Sequence, residues 1–310
     1  MTATSTAGAR QIRLGEVTVT RVGEYSGPVG MTGQEFFPDS EQALWDDNID
    51  WLAPDFFDAG TQIVQSALQT WVVRSAGATI LVDTGAGNFK ERPYAPVWGH
   101  LDTGYLADLA RAGVRPEDVD IVINTHLHID HVGWNTVLEG REWVPTFPRA
   151  RYLMPARDFE FWDPANGHET VFGRGNQNVF EDSVAPVYRA GLVELWDDSL
   201  DIDIDGAVRL ELAAGHTPGS SVVTIESGGS TALLVGDVLH NPVQILRPDA
   251  NSCFCEDPQQ ARATRRRLLA RAADSGALVI PAHLGGSGAV RVQAAGAGFA
   301  ITDWASFGRL

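Results

Sequence analysis

Residues 125–131 read Thr-His-Leu-His-Ile-Asp-His and concentrate side chains that bind metal ions. The potential ligands of this segment are His126, His128, Asp130 and His131. Imidazole and carboxylate are the groups that bind divalent zinc where thiolates are absent. Packing so many of them together without a cation is costly, because a buried carboxylate needs a partner. The segment therefore predicts a metal site.

The spacing of these ligands predicts that one segment serves two metal ions. His126 and His128 are two residues apart, so on an extended chain both side chains point the same way. A turn after them can aim Asp130 and His131 at a second point nearby. The remaining ligands are expected at the ends of other apolar, strand-like runs: His216 in Gly-His-Thr-Pro-Gly, Asp237 after Gly236, and His283 after Pro-Ala. Ligands at the same ends of several strands meet at one edge of a structure.

Strands and helices must alternate to bring these positions together, and the sequence predicts that they do. Residues 120–124 are nearly all apolar, as expected of a strand buried on both faces. A helix is predicted to begin at Asp257-Pro258 and to end at Gly276, because both ends carry favoured capping residues. A second helix is predicted over 106–112, and further strands over 11–22, 69–75, 78–84, 151–154, 192–196, 207–213, 220–226, 231–235 and 277–283. This alternation predicts a single α/β domain over residues 1–310.

The segment at about 24–60 shows no clean periodicity. Its aromatic residues stand among glycine, proline and aspartate, and they are Tyr25, Phe36, Phe37, Trp45, Trp51, Phe56 and Phe57. Such segments inside a compact domain are typically functional loops or interface arms. The alternative is a surface excursion pinned by its aromatic side chains. Because so many exposed aromatics would make the chain sticky, we expect them to wall a substrate pocket, to form a homodimer contact, or to do both.

The chain has 310 residues, 44% of them hydrophobic, and a formal net charge of −17. So acidic a surface repels phosphate backbones and anionic membranes, and we expect neither nucleic acid nor a membrane as a partner. The first ten residues contain no apolar stretch of the kind found in secretory signals. Cys253 and Cys255 are too close in sequence for a good cross-link, which favours a reducing, cytoplasmic setting. The alternative for them is a metal site with two thiolates.

Taken together, the motifs resemble the signature of the metallo-β-lactamase superfamily. That signature is His-x-His-x-Asp-His, then Gly-His-Thr-Pro-Gly, then a strand ending in Gly-Asp, then a last strand ending in His. The resemblance extends from about Thr70 to His283 and implies an αββα sandwich. It also implies a set of ligands: a first metal site of His126, His128 and His216, a second of Asp130, His131 and His283, and an Asp237 carboxylate that bridges both.

The resemblance assigns a role to Asp83 as well, which lies in Leu-Val-Asp-Thr-Gly and matches a motif beneath the site. Its expected role is to accept a hydrogen bond from a ligand histidine; the alternative is a turn residue before Gly85. Two divalent ions about 3.5–4 Å apart can hold a hydroxide between them, because the pKa of bound water falls toward about 7. That metal-bridging hydroxide would attack an ester-like substrate, while Asp130 passes a proton to the leaving group. Zinc is the favoured ion, and Mn, Co or Fe also suit these ligands.

Within the superfamily, the chain resembles the branch of N-acyl-homoserine lactonases and methyl parathion hydrolase, which implies a dinuclear hydrolase acting on a lactone. Phosphotriesters are the alternative substrates, and a mononuclear iron enzyme similar to the persulfide dioxygenases is a more distant alternative. The substrate is expected to be a small molecule, neutral and partly apolar. The lactonases commonly place a tyrosine three residues after the bridging Asp, where this chain has His240. His240 either donates a hydrogen bond to the substrate carbonyl or only lies beside the site.

Overall fold

The structure is a computed structural model that describes residues 11–197, 199–305, 307 and 308. The expectation that residues 1–10 carry no secretory segment lies outside this range. Over the described residues, the strands in chain order are β1 Gln11–Leu14, β2 Val17–Thr32, β3 Phe57–Asp58, β4 Ile63–Ser75, β5 Ala78–Val82, β6 Ile121–Ile123, β7 Thr136–Glu139, β8 Glu142–Pro145, β9 Arg151–Pro155, β10 Val193–Trp196, β11 Ile202–Asp203, β12 Val208–Leu212, β13 Ser221–Ser227, β14 Ser230–Gly236, β15 Leu278–Pro281, β16 Val290–Ala295 and β17 Gly298–Trp304.

The α-helices of the same residues are α1 Gly33–Phe36, α2 Gln42–Asp46, α3 Ile49–Leu52, α4 Tyr105–Arg111, α5 Ala156–Trp162, α6 Ala185–Arg189, α7 Val243–Leu246 and α8 Pro258–Ser275. Short 3-10 turns and one π-helical turn, Phe180–Val184, lie between them. In this part of the chain, no helix combines the length and the apolar character needed to cross a membrane.

Two large sheets and one hairpin account for these strands. The first sheet has the order β1-β2-β4-β5-β6-β9-β10, with β3 paired to β4, and the second has the order β11-β12-β13-β14-β15-β16-β17. Strands β5, β6, β9 and β10 run parallel to one another, and β14 runs parallel to β15. The carboxyl ends of parallel strands open at one edge of their sheet, which is where α/β proteins place their sites.

Alternating side chains of the strands divide the core into layers. In β5, Ile80 and Val82 face the second sheet, whereas Leu81 packs on the side of α4. In β15, Ile280 faces the first sheet, whereas Val279 packs with α8. Because helices cover the outer face of each sheet, these strands are apolar on both faces. The arrangement is an αββα sandwich, as predicted.

Most predicted elements are present, with shifted ends, and α8 has both of its predicted caps. The Asp257 side chain caps the first turn, and Gly276 ends the helix in the left-handed conformation at φ +65°. The strand predicted over 11–22 is in fact two strands, because the chain turns at Gly15, where φ is +57°. A Cβ atom at Gly15 would come within 2.5 Å of the Ser227 backbone. This approach of the two sheets therefore requires glycine.

The segment at about 24–60 is more ordered and more deeply packed than its sequence predicts. Strand β2 continues through it to Thr32, three short helices follow, and β3 comes near its end. Most of its aromatic side chains are buried in the core, namely Phe36, Phe37, Trp45, Phe56 and Phe57. These side chains therefore do not form an exposed aromatic surface that a second chain would have to cover. The homodimer stays a prediction, without that argument to support it.

A buried charge network fixes the chain between β5 and α4. Arg92 donates two hydrogen bonds to the Asp182 carboxylate, at 2.5 and 2.9 Å. Lys90 Nζ donates to Thr136 Oγ1 at 2.5 Å, lies 3.6 Å from an Asp182 oxygen, and sits 3.7 Å from the centre of the Trp143 ring. Burial lowers the pKa of Lys90 to about 7, although Asp182 opposes the shift.

Candidate metal centre

The ends of several strands bring the sequence-predicted ligands together. Asp83 follows β5, residues 126–131 follow β6, Asp237 follows β14, His283 follows β15, and His216 lies between β12 and β13. Two groups of these side chains could hold a metal ion, each with its ligand atoms within 4.8 Å of one another. The first group is His126, His128, His216 and Asp237, and the second group is Asp130, His131 and His283.

The imidazoles of the first group converge on one point. His128 presents its Nδ1 atom, which lies 3.1 Å from His126 Nε2 and 2.9 Å from His216 Nε2. All three rings are almost completely buried. Ring nitrogens that face each other with lone pairs repel, unless a proton or a cation lies between them. The first group therefore has the form of a cation site built from three imidazoles.

Asp237 joins the two groups, with one carboxylate oxygen toward each. Its Oδ2 atom lies 3.3 Å from His216 Nε2. Its Oδ1 atom lies 3.2 Å from His131 Nε2 and 3.0 Å from His283 Nε2, and the latter nitrogen is also 3.1 Å from Oδ2. Asp130 completes the second group, with its oxygens 3.6 Å from the same two nitrogens. These distances place the Asp237 carboxylate between the two ligand groups.

The surrounding fold fixes which nitrogen of each second-group ring carries a proton. His131 Nδ1 donates to Asp83 Oδ2 at 2.9 Å, and His283 Nδ1 donates to the Ala67 carbonyl at 3.0 Å. A carboxylate and a carbonyl only accept, so a neutral ring has its lone pair on Nε2. Each lone pair then faces an oxygen of Asp237 at 3.0–3.2 Å. Such a contact is repulsive until a positive charge lies within it.

Asp83 accepts the hydrogen bond that was predicted for it. Besides His131, the buried Asp83 carboxylate accepts from Thr125 N and from Thr125 Oγ1, both at 2.8 Å. Its backbone has φ +56°, a conformation that few residues other than glycine adopt and that Asp tolerates better than most. Asp83 thus ties the end of β5 to the start of the ligand segment, which excludes the alternative of a simple turn residue.

The charges of the site shift the pKa values of its histidines in opposite directions. Burial lowers the pKa of His126 and His216 well below the usual value. Burial also acts against the charged forms of His131 and His283, but the carboxylates, Asp237 foremost, outweigh it and raise the pKa of both rings. The first group therefore holds neutral rings, the form that binds metal, and the second group stabilises positive charge.

Several polar atoms of the site are buried and lack a hydrogen-bond partner among the described residues. They include His131 Nε2 and Asp237 Oδ1. Native structures leave few such atoms unsatisfied. Imidazoles with free lone pairs, together with carboxylates, are the donors that zinc and similar divalent ions take. The residues present therefore fit two divalent cations, one in each group.

A cavity of about 410 Å³ lies over the two groups. Five of the seven candidate ligands line it, and its walls come from the 24–60 segment, from the chain at 94–98, and from two loops elsewhere. Wall residues include Met31, Phe36, Tyr94, Trp98, Phe172 and Phe254. The predicted contribution of the aromatic segment to the pocket is thus confirmed for Phe36. The other walls escaped the sequence analysis, because no motif marks them.

His240 lies within the site, three residues beyond Asp237. Its Nε2 atom is 3.1 Å from Asp237 Oδ2, and its ring stacks on His283 with centroids 5.6 Å apart. The residue lines the cavity, yet both of its ring nitrogens are buried and lack an aligned hydrogen-bond partner in the described part of the chain. Burial lowers the pKa of His240, so the ring is neutral at neutral pH.

Two further polar groups lie close to the ligands. Cys253 and Cys255 are free thiols, and neither belongs to a metal-binding group of the described residues. Cys255 instead packs beside the site, with its Sγ atom 3.9 Å from His216 Nδ1. The sequence analysis missed Asp158, a fully buried carboxylate of α5. Nothing marks Asp158 in the sequence, because Arg157 and Glu160 of the same short helix are also charged.

Comparison with known proteins agrees with this geometry. A family model described as the metallo-beta-lactamase superfamily matches residues 68–283, which is more than half of the chain. N-acyl homoserine lactonase AttM of Azorhizobium caulinodans is 27% identical over 142 residues, covering 43% of this chain and 47% of that relative. The chain thus spans about half the length of this curated relative.

Solved structures are similar over nearly the whole chain. AidC, a dizinc quorum-quenching lactonase in complex with a homoserine product, has a TM-score of 0.75 and 22% identity, covering 95% of this chain and 96% of AidC. The hydrolase AbOPH of the beta lactamase superfamily has a TM-score of 0.78 and 24% identity, covering 96% of this chain and 98% of AbOPH. At such identities the likeness is one of fold. The family match, the order of the motifs and the αββα sandwich agree, and the chain belongs to the metallo-beta-lactamase superfamily.

Proposed function

We propose that this chain is a dinuclear metal-dependent hydrolase whose substrate is a lactone. The observation that carries the proposal is the placement of Asp237, which directs one oxygen toward each of two ligand groups. Two groups of largely buried possible ligands that meet at one carboxylate favour two ions over a single ion. His126, His128 and His216 would hold one ion, and Asp130, His131 and His283 would hold the other. When bound, such ions polarise a carbonyl oxygen and lower the pKa of water.

The cavity supports a neutral, partly apolar substrate. Its walls carry large apolar side chains such as Phe36, Trp98 and Phe172, which can cover an acyl chain. None of the described residues that line it is lysine or arginine, so the protein offers no cation of its own to an anionic substrate. The curated relative AttM is named an N-acyl homoserine lactonase, and AidC is described with a homoserine product. An acylated lactone combines a neutral ester with an apolar tail, and it suits this cavity.

Two side chains are proposed to act on the substrate directly. Asp130 lines the cavity with its carboxylate 14% exposed, so it can accept the proton of the attacking water and return it to the leaving alkoxide. His240 is neutral and adjoins Asp237. Because His240 lines the cavity and its ring nitrogens have no aligned partner among the described residues, an N–H of the ring is proposed to donate to the carbonyl oxygen. The role of His240 stays a prediction and has its own test below.

The proposal is tested by metal content and by a substrate panel. Protein purified in the presence of zinc should contain about two ions per chain. Acylated lactones, aryl phosphotriesters, simple esters and β-lactams are then assayed with the parent, Asp237→Ala and His100→Ala. His100 is an exposed histidine beside Glu91, outside the site, and its variant controls for contaminating activity. The lactone should react fastest, and Asp237→Ala should lose at least about 100-fold.

Each other outcome changes the assignment. A stoichiometry of one zinc per chain after saturation overturns the dinuclear proposal, as does full turnover by Asp237→Ala. A phosphotriester that reacts faster than every lactone selects the alternative substrate class, which the neutral cavity also accommodates. One iron per chain, with no hydrolysis of any ester, selects the persulfide dioxygenase-like alternative.

A further inference from the structure

Asp158 is a buried carboxylate that links the two segments carrying the first-group imidazoles. It lies in α5 and is 0% exposed. Its Oδ2 atom accepts from Leu127 N at 3.1 Å, and Leu127 stands between His126 and His128. The same oxygen accepts from Thr217 Oγ1 at 2.9 Å, and Oδ1 accepts from Gly219 N at 2.6 Å. Thr217 follows the ligand His216 directly.

This position is specific for a carboxylate. A charge buried away from water is costly unless several donors surround it, and hydrogen bonds to an ionised acceptor are the strong ones. The chain around Asp158 is shaped to provide them. A Cβ atom at Gly219 would lie 2.9 Å from Asp158 Oδ1 and 2.8 Å from Pro155 Cβ. The last glycine of the Gly-His-Thr-Pro-Gly motif therefore makes room for this carboxylate.

The link through Asp158 acts on one side of the ligand segment. On the other side, Ser221 N and Ser221 Oγ donate to the Thr125 carbonyl at 2.9 and 2.8 Å, which ties the two sheets together before the first ligand. Asp158 makes the equivalent connection after it, at Leu127. His128 and His216 meet at 2.9 Å between these two ties. A change at Asp158 thus loosens the ligands while the Ser221 tie remains.

We propose that Asp158 is a positioning residue for the first metal group: it sets the separation of His128 and His216 by holding Leu127, Thr217 and Gly219. Asp158 is not among the residues that line the cavity, and its hydrogen bonds with Leu127, Thr217 and Gly219 are the contacts through which it acts on the two segments. The inference rests on the proposed function in one respect, since it requires that the first group binds a metal ion.

The test measures zinc affinity for each group separately. His283→Ala disables the second group, so a zinc titration against a competing chelator then reports on the first. His128→Ala disables the first group, so the titration then reports on the second. Asp158→Asn is introduced into both backgrounds; its amide nitrogen cannot accept, so at least one of the three donors loses its acceptor. Zinc affinity should fall about 10–100-fold in the His283→Ala background and stay unchanged in the His128→Ala background.

Two further variants separate positioning from simple damage. Glu24→Gln is the matched control, because the Glu24 carboxylate also accepts three N–H groups, from Ala86, Gly87 and Trp134, yet touches neither first-group segment. It should leave first-group affinity intact. Thr217→Val removes one donor to Asp158 without changing charge, and it should weaken the first group by a smaller factor.

The outcomes are distinct. The positioning role is refuted if Asp158→Asn leaves the zinc affinity of the His283→Ala protein unchanged. It is also refuted if Asp158→Asn lowers zinc affinity equally in both backgrounds, or if Glu24→Gln lowers first-group affinity as much as Asp158→Asn does. Where Asp158→Asn fails to fold, Thr217→Val decides: unchanged zinc affinity in that variant overturns the inference. If the His283→Ala protein with native Asp158 binds no zinc, the proposed metal function itself has failed.

Discussion

Replacing Asp83 with asparagine should disable the second metal group while leaving the fold in place. The Asp83 carboxylate accepts three hydrogen bonds, one from His131 Nδ1 and two from Thr125. Asparagine has the same size, and it is one of the residues that tolerate φ near the +56° found here. It keeps one acceptor oxygen but presents an NH2 group at the other position. The variant therefore changes which hydrogen bonds the side chain can make while its size stays the same.

The expected magnitude follows from the tautomer of His131. In the parent, the proton lies on Nδ1 and the Nε2 lone pair faces the second group, 3.2 Å from Asp237 Oδ1. An NH2 group at the Oδ2 position favours the other tautomer, which places a proton on Nε2 and removes a ligand. Loss of such a partner typically weakens metal binding by about 10–100-fold. The tautomer reversal in serine protease triads costs about 10⁴ in rate, so the loss here should reach at least 100-fold, or about 2.7 kcal/mol.

The assay is a zinc titration of Asp83→Asn against a chelator, with thermal unfolding of the metal-free protein in parallel. One of the two ions should be weakened by at least about 100-fold, while the metal-free protein unfolds within a few degrees of the parent. Glu24→Gln, which makes the same chemical change beside the same turn without touching a ligand ring, should keep both ions. Two ions bound with parent affinity by Asp83→Asn would refute the reasoning from tautomers.

Two more predictions concern His240 and Lys90. His240→Phe should keep both ions and lower kcat by about 10²–10³, the usual effect of losing one transition-state donor. His240→Tyr should restore turnover of lactones. An equal kcat for His240→Phe and the parent would show that His240 takes no part in the reaction. Burial lowers the pKa of Lys90 from 10.5 to about 7 in the folded protein. Between these two pH values the unfolded chain binds more protons than the folded protein, so the free energy of unfolding rises with pH, by at most about 1.4 kcal/mol per pH unit. Chemical denaturation between pH 7 and 9.5 should show that rise in the parent and less of it in Lys90→Met; parallel curves would contradict the lowered pKa of Lys90.

The ligand segment and α8 could be predicted because their signals are local. The apolar run before Thr125 specifies a buried strand, and the ligands follow it within a few residues. Asp257 and Gly276 cap α8 through contacts with their own helix. The resemblance to a known family then supplied the pairing of ligands that no single segment could give. The position of Asp237 between the two ligand groups depends on two sheets meeting, which is a long-range property.

The cavity walls could not be predicted, because they depend on pairing across the sheet. Strand β2 extends to Thr32 since it pairs with β4 through a shifted register, in which Thr32 lies opposite Ile63. That pairing places Met31 over the site. The sequence of β2 mixes glycine and proline into the second half of the strand, and these residues disfavour strands when read alone. Strands β16 and β17 were missed for a related reason, since they form a partly exposed edge hairpin without strong alternation.

The buried carboxylates around the ligands are harder to predict from the sequence than the ligands themselves. Asp83, Asp158 and Glu24 each accept N–H groups from segments that carry or adjoin the ligands. In the sequence each is an ordinary acidic residue of a strongly acidic chain, and only the donors around it distinguish it from a surface carboxylate. Those donors lie in loops at the ends of other strands. The negative charge that raises the pKa of His131 and His283 is that of the carboxylates beside those rings, Asp237 foremost. A cation bound at the second group would take the place of the protons on these two rings. The charges that raise the two pKa values would therefore also stabilise the ion that the proposed reaction needs.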